Sequence, residues 1–88
     1  MKTHFFLEKW RSQDLLDALK AWRRARAQEE GVPLYMIAHN SQLEEISEVV
    51  PLDENELLTI KGIGIAKLES FGDDILSLTR AYDISEKA

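Results

Sequence analysis

Two glycines on either side of an isoleucine, in the stretch Lys61-Gly62-Ile63-Gly64, are the first pattern with a defined chemistry. Glycine has no Cβ atom, so the backbone can turn sharply, with Ile63 anchored inward and the flanking N–H groups facing outward. A helix is predicted to follow from about Gly64, and its first N–H groups have no partner within the helix. These groups and the positive end of the helix dipole favour an anion such as a phosphate. The alternative is a tight turn that only joins two packed helices.

Cationic and aromatic side chains elsewhere in the chain extend this chemistry. Lys20, Arg23 and Arg24 are predicted to project from the first long helix on the side opposite its apolar stripe, where they would contact phosphates. Tyr35 lies beside a proline turn, and an exposed ring there would stack on a nucleobase. The alternatives are a solvated helix face and a half-buried tyrosine. The predicted nucleic-acid contacts are Lys20, Arg23, Arg24, Tyr35, Lys61, Gly62, Ile63, Gly64 and Lys67.

The residue types do not favour catalysis. His4 and His39 are the only histidines, one in a flank and one in a turn, and the chain has no cysteine for a disulfide or a thiolate zinc site. Asp73 and Asp74 are adjacent on a predicted helix, where their side chains point about 100° apart and make a poor metal cage. We therefore expect a non-catalytic domain without a metal or another cofactor.

Charge is unevenly distributed. Residues 1–30 carry seven Lys/Arg and five Asp/Glu, whereas residues 31–88 carry four and eleven, which together give the net charge of −5. Residues 41–60 contain six acids and no base. Such an acidic sector repels a phosphate backbone, so it belongs on the far side of any nucleic-acid contact or faces another protein. The nucleic-acid contact is predicted to be small and weak.

A chain of 88 residues is enough for one domain. We divide it into a flank or linker at 1–10, a helical domain at 11–83 and a disordered tail at 84–88. No apolar run approaches the length of a membrane span, and the amino end is too short and too mixed for a signal peptide. We expect a cytoplasmic protein that makes no membrane contact and is monomeric as an isolated domain.

Apolar residues recur at helical spacing, and no strand pattern is present. The predicted fold class is all-α, a compact five-helix bundle with a helix-hairpin-helix-like turn. Ser12 is expected to cap the first helix, Asn40 or Ser41 the third and Asp53 the fourth. The expected segments are 12–30, 34–38, 41–50, a short helix before the hairpin, and 64–83. Arg26 falls in the apolar stripe of the first helix, so we predict that it pairs with an acid.

The runs LLDALKAWR, EEGVPLYMI, LEEI and LLTIKGIGIAKLESFGDDIL together resemble the HRDC (helicase and RNase D C-terminal) domain over about Arg11 to Tyr82. The most distinctive parts are Gly31-Val32-Pro33-x-Tyr35 and the run from Lys61 to Gly72, and the second is most similar to bacterial RecQ-type helicases. The hairpin also resembles the helix-hairpin-helix pattern, which holds phosphates without reading bases.

The resemblance implies an auxiliary module downstream of a helicase core or an exoribonuclease core. Such a module binds single-stranded or structured DNA weakly and without sequence preference. Through a RecQ-type parent, it also implies a role in DNA repair and recombination and a bacterial, nucleoid-associated location. The alternative function is docking on the helicase core or another protein through the acidic face. DNA binding requires that the first-helix cations, Tyr35 and the hairpin share one face.

Three positions depart from the family pattern. Arg26 stands where an aliphatic residue is usual, and Leu68 stands where alanine is common. Ala38 replaces a frequent phenylalanine and leaves a space, which we predict is filled by Phe5, Phe6 or Trp10.

Overall fold

The computed structural model describes residues 2–87, and the side chains of residues 13–87. Five helices and no strand occupy this range, which confirms the all-α prediction. They are α1 (Lys2–Glu30), α2 (Leu34–Ile37), α3 (Asn40–Val49), α4 (Glu54–Leu57) and α5 (Ile65–Lys87). None of these helices is long and apolar enough to cross a membrane.

Helix α1 begins ten residues before the predicted start at Ser12, so most of the predicted flank is helical. The reason is that no glycine or proline interrupts residues 2–30. Gly31 ends the helix with a φ of 69°, and its N–H donates to Gln28 O at 3.3 Å. The N–H of Val32 then donates to Ala27 O at 3.0 Å, which completes a Schellman motif.

Arg26 pairs with acids, as predicted. Its Nε atom lies 2.6 Å from Glu30 Oε2 on α1, and its Nη1 atom lies 2.9 Å from Asp74 Oδ2 on α5. The guanidinium is 5.1 Å from the ring centroid of Phe71. The hydrogen bond with Glu30 raises the pKa of Arg26 above its ordinary value. Asp74 also accepts a hydrogen bond from Trp22 Nε1 at 3.0 Å, so one carboxylate joins two side chains of α1 to α5.

The cap of α3 differs from the prediction of Asn40 or Ser41. His39 is the N-cap, and Gln42 Oε1 accepts a hydrogen bond from its N–H at 2.9 Å. The side chain that bonds back to the N-cap N–H is therefore that of Gln42. A cap at Ser41 would instead require the side chain of Glu44 in this role. The prediction for α4 is confirmed, because Asp53 Oδ1 accepts a hydrogen bond from the N–H of Glu56 at 2.8 Å.

Helix α5 continues to Lys87 through most of the segment predicted as a tail at 84–88. No glycine or proline stops it after Gly72, and Lys87 Nζ lies 3.2 Å from Asp83 Oδ2 one turn earlier. Gly72 is buried, and a Cβ atom there would lie 2.9 Å from Leu68 Cδ1 and 4.0 Å from Leu57 Cδ2. Glycine at this position therefore lets Leu68 fill the space between α5 and α4.

A hydroxyl in α5 holds the connection between α3 and α4. Thr79 is fully buried, and its Oγ1 donates to Pro51 O at 2.6 Å. On the next residue, Arg80 Nε donates to Leu52 O at 2.8 Å. These bonds pin the chain just after Val50, which ends α3 in the left-handed region with a φ of 51°.

Replacing Thr79 with valine should destabilise the domain by about 1–3 kcal/mol, because Pro51 O loses its donor inside the protein. Chemical denaturation would measure the loss. Thr79→Ser keeps the hydroxyl and is the control, so its unfolding free energy should lie closer to that of the wild type. Equal stability of Thr79→Val and the wild type would contradict this role.

Candidate nucleic-acid interface

Helix α2 joins the two ends of the predicted interface. On one side, Arg23 Nη1 of α1 donates to the carbonyl of Ala38, the C-cap of α2, at 3.0 Å. On the other side, Lys67 Nζ in the first turn of α5 donates to Ile37 O at 2.7 Å. Two consecutive carbonyls at the end of α2 therefore hold α1 and α5. Arg23 of α1 and Lys67 at the start of α5 therefore both adjoin the short helix that carries Tyr35.

The hairpin is held by a buried side chain and by a contact with α3. Ile63 is 4% exposed, so it points inward as predicted. Gly62 has a φ of 89°, and a Cβ atom there would overlap the side-chain amide of Gln42. That amide approaches Lys61 O at 3.5 Å and so links the hairpin to the first turn of α3. The fold itself therefore requires glycine at residue 62.

Gly64 differs from Gly62 in every one of these respects. Its φ is not positive, and a Cβ atom there would meet nothing within 4 Å. Its carbonyl accepts the N–H of Leu68 at 2.9 Å, so Gly64 occupies the N-cap position of α5. Nothing in the described part of the chain requires glycine at this position.

The backbone groups beside Gly64 are open. The N–H groups of Gly64, Ile65 and Ala66 bond to no backbone acceptor at residues 2–87 and to no side chain at residues 13–87, and these three residues are exposed. The first turn of α5 contains no acid. Orphan N–H groups at the start of a long helix, without a local carboxylate, favour an anionic ligand.

The predicted side-chain contacts separate into two groups. Tyr35 is 60% exposed, Arg24 and Lys61 are exposed, and Lys20 is partly exposed. Lys20 and Arg24 are four residues apart on α1 and thus lie on one face of the helix. These side chains remain candidates for contact with a ligand.

Arg23 and Lys67 do not have the predicted environment. Arg23 is 7% exposed, because it continues the buried stripe of Leu15, Leu19 and Ala27 at steps of four residues. That spacing was readable in the sequence. Lys67 is half-buried and bonded to Ile37 O, and burial lowers the pKa of its ammonium group. Both cations hold α2 in place, so neither belongs to an open cationic patch.

The space beside Ala38 is present as a concavity lined by Arg23, Tyr35 and Ala38. The side chains of Phe5, Phe6 and Trp10, predicted to fill it, lie outside the described residues.

The exposed acids of α3 and α4 take no part in these contacts. Glu44 and Glu48 lie beyond the first turn of α3, and Glu54 and Glu56 lie on α4. The contacts between α2, the hairpin and the start of α5 involve none of these four side chains. The acidic sector is thus separate from the bonds that join the candidate interface.

The HRDC domain family matches residues 12–79 of this chain. The chain is 43% identical over 68 residues to the ATP-dependent DNA helicase UvrD2 of Mycobacterium tuberculosis, which covers 77% of this chain and 10% of that protein. It is 34% identical over 71 residues to the ATP-dependent DNA helicase RecQ of Bacillus subtilis, covering 81% of this chain and 12% of that protein. With RecQ of Haemophilus influenzae it shares 31% identity over 70 residues, which cover 80% of this chain and 11% of that helicase.

This chain belongs to the HRDC domain family, which confirms the resemblance read from the sequence. It spans about a tenth of the length of the curated relatives that it matches. An HRDC domain is an accessory domain, and the relatives named here are ATP-dependent DNA helicases.

Proposed function

We propose that this chain is an auxiliary nucleic-acid-binding module of a RecQ-type ATP-dependent DNA helicase. It makes weak, sequence-independent contact with single-stranded or structured DNA. The surface that makes this contact consists of Lys20, Arg24, Tyr35, Lys61 and the open backbone around Gly64. The parent helicase acts in DNA repair and recombination and carries the module to the bacterial nucleoid. An exoribonuclease parent is the alternative, and the similarity to DNA helicases favours the helicase parent.

The observation that carries the proposal is the contrast between the two hairpin glycines. Gly62 is explained by its positive φ and by the side chain of Gln42. Gly64 has neither constraint, and its missing side chain leaves the backbone open to a group that approaches from outside. A phosphate that approaches the N–H groups at the start of α5 needs such an uncovered backbone.

The charges limit the affinity. The net charge is −5, and three cations, Lys20, Arg24 and Lys61, remain on the proposed surface. Each phosphate contact on a single strand contributes roughly 0.7 to the slope of log affinity against log salt. Two to four contacts therefore predict a slope of about −1.4 to −2.8, which corresponds to binding that is easily lost at moderate salt.

Gly64→Asn and Gly64→Asp form a matched pair that tests the phosphate contact. Asparagine and aspartate are both favourable N-caps, better than glycine by a few tenths of a kcal/mol, so both variants should unfold at or above the wild-type midpoint. Both place a side chain in the phosphate path, and only aspartate adds a negative charge. Binding to short single-stranded DNA at low salt, measured by fluorescence anisotropy, should fall for Asn and fall further for Asp.

Wild-type affinity in both folded variants would show that no phosphate approaches Gly64. Equal losses in the two variants would show that the side chain blocks a contact in which charge plays no part, and would contradict phosphate binding there.

A second candidate function is docking on the helicase core or another protein. The specific observation in its favour is the exposed acidic sector of α3 and α4, which also includes Val49 at 51% exposed. An NMR titration with single-stranded DNA distinguishes the two functions. If resonances around Lys20, Tyr35 and Gly64 do not shift at low salt, the DNA proposal is wrong and docking replaces it.

A further inference from the structure

Two open concavities lie in line on the surface between α1 and α5. One has a volume of about 390 Å³ and begins at Asp14, and the other has a volume of about 300 Å³ and ends at Glu29. A rise of 1.5 Å per residue places these two residues roughly 22 Å apart along α1. We call this surface the α1–α5 groove, and its lining includes Ala18, Ala25, Asp74, Leu78, Ala81 and Tyr82.

Small exposed side chains connect the two concavities. Ala21 lies between Ala18 and Ala25 at steps of three and four residues, so the three share one face of α1. Ser77 and Ala81 are four residues apart and form the matching face of α5. Because these side chains are short, a third helix could approach both backbones closely over about four turns.

The floor of the groove is apolar. Leu78 and Tyr82 pack against the hydrophobic core but are only partly buried, so part of each side chain faces the groove. Residues 2–12 continue α1 and do not fold back across this surface. The described chain therefore leaves the groove open, and a ligand with an apolar stripe would bury its floor.

Both ends of the groove are acidic. Asp14 and Glu86 line one end, and Glu29 and Asp74 line the other. Arg26 is the one cation among the described lining side chains, and its charge is already balanced by ion pairs with two carboxylates. The other described lining residues are uncharged. The lining at residues 13–87 is thus negative at both ends and neutral between them.

This pattern of charge selects the kind of ligand. A nucleic-acid strand would bring phosphates against the carboxylates, which is unfavourable. The groove also faces away from α2, because Ala21 and Ala25 are each two residues from Arg23, and residues at that spacing point to nearly opposite sides of a helix. A helix with an apolar stripe and a lysine or arginine at each end complements the groove in shape, polarity and charge.

We propose that the α1–α5 groove docks a cationic amphipathic helix of a partner protein. The helix is about four turns long, with an apolar stripe in its middle and lysine or arginine at both ends. The proposal is independent of DNA binding, and it concerns a surface other than the acidic sector of α3 and α4.

Two synthetic peptides of about 16 residues test the match of shape and charge. Both have leucine and alanine at helical spacing in their middle, and one carries lysines at each end where the other carries glutamates. In NMR titrations at low salt, the lysine peptide should shift the resonances of Ala21, Ser77 and Ala81, and the glutamate peptide should leave them unchanged. No shift with the lysine peptide, or equal shifts with both peptides, would overturn the proposal.

Asp14→Lys with Glu29→Lys reverses one acid at each end of the groove. This double variant should bind the lysine peptide about tenfold more weakly, because two attractive contacts become repulsive. Glu44→Lys with Glu48→Lys on α3 is the matched control, since both double variants change the net charge from −5 to −1. The control should lose less affinity. An equal or larger loss in the control would show that the attraction is general or belongs to α3, and either result contradicts the proposal.

Ala81→Phe fills the groove without a change of charge. Ala81 is exposed on α5, so the variant should melt close to the wild type, and it should lose the shifts caused by the lysine peptide. Undiminished binding would contradict docking in the groove. Analytical ultracentrifugation of the protein alone tests another occupant. A dimer that Ala81→Phe dissociates would show that a second copy fills the groove, and the proposal of a partner helix would then be wrong.

Discussion

Gly62→Ala should destabilise the domain by roughly 2–3 kcal/mol, the largest loss that we expect from a single added methyl group. Left-handed backbone costs a non-glycine residue about 1–2 kcal/mol, and the φ of Gly62 is 89°. The new Cβ atom must also displace the Gln42 side chain, which accepts the N–H of His39. Loss of that hydrogen bond adds about 0.5–1.5 kcal/mol. Urea denaturation followed by circular dichroism would measure the change.

The double variant with Gln42→Ala and Gly62→Ala separates the cost of the left-handed backbone from the loss of the Gln42 hydrogen bond. If the displaced amide matters, the double variant should lose less stability than the two single variants added together. Wild-type stability in Gly62→Ala would show that the hairpin relaxes easily, and the view that the fold requires this glycine would then be wrong.

Arg24→Glu combined with Lys61→Glu should reduce single-stranded DNA binding at least ~10-fold at low salt. Each change removes a proposed phosphate contact and adds a repulsive charge, and the salt slope should become shallower by about 1.4 for two lost contacts. Both side chains are exposed, so the melting temperature should change little. Fluorescence anisotropy across a salt series measures affinity and slope together.

The control for this pair is Arg80→Glu with Lys87→Glu, which changes the net charge by the same amount, from −5 to −9. Arg80 and Lys87 lie in the second half of α5, away from the hairpin. Arg80→Glu also removes the hydrogen bond to Leu52 O, so a melting curve must first show that the control is folded. The folded control should lose affinity only through its more negative net charge, with the salt slope unchanged. The same loss of affinity and slope in both double variants would mean that DNA has no preferred face on this domain.

The sequence predicted the elements better than their ends. Periodic leucines and isoleucines indicate helices wherever they occur, so the number and order of the helices were readable. Ser12 looked like a cap because serine prefers that position, but a cap residue does not begin a helix when helix-forming residues precede it without a break. The tail was misjudged for the same reason, because polarity does not end a helix that lacks a stop signal.

The side chains at the site were harder to predict because an arginine or a lysine can either be exposed to solvent or be buried with a hydrogen-bond acceptor. Arg23 is in register with Leu19 and Ala27, so its stripe was visible, yet a charge is normally assigned to the surface. The acceptor that makes its burial possible, Ala38 O, is a backbone atom whose position depends on how α2 packs. The same holds for Lys67 and Ile37 O. Tertiary hydrogen bonds to carbonyls leave no pattern in a sequence.

The way in which α2 is held has a thermodynamic consequence for binding. Of its four residues, only Ile37 is buried, and two long cationic side chains provide its polar attachments. Such an element can open locally while the rest of the domain stays folded. Under the proposed function, a strand that stacks on Tyr35 would have to hold α2 in its closed position, and the conformational entropy lost in doing so would oppose binding. The ordering of α2 would then limit the affinity in addition to the limit set by charge.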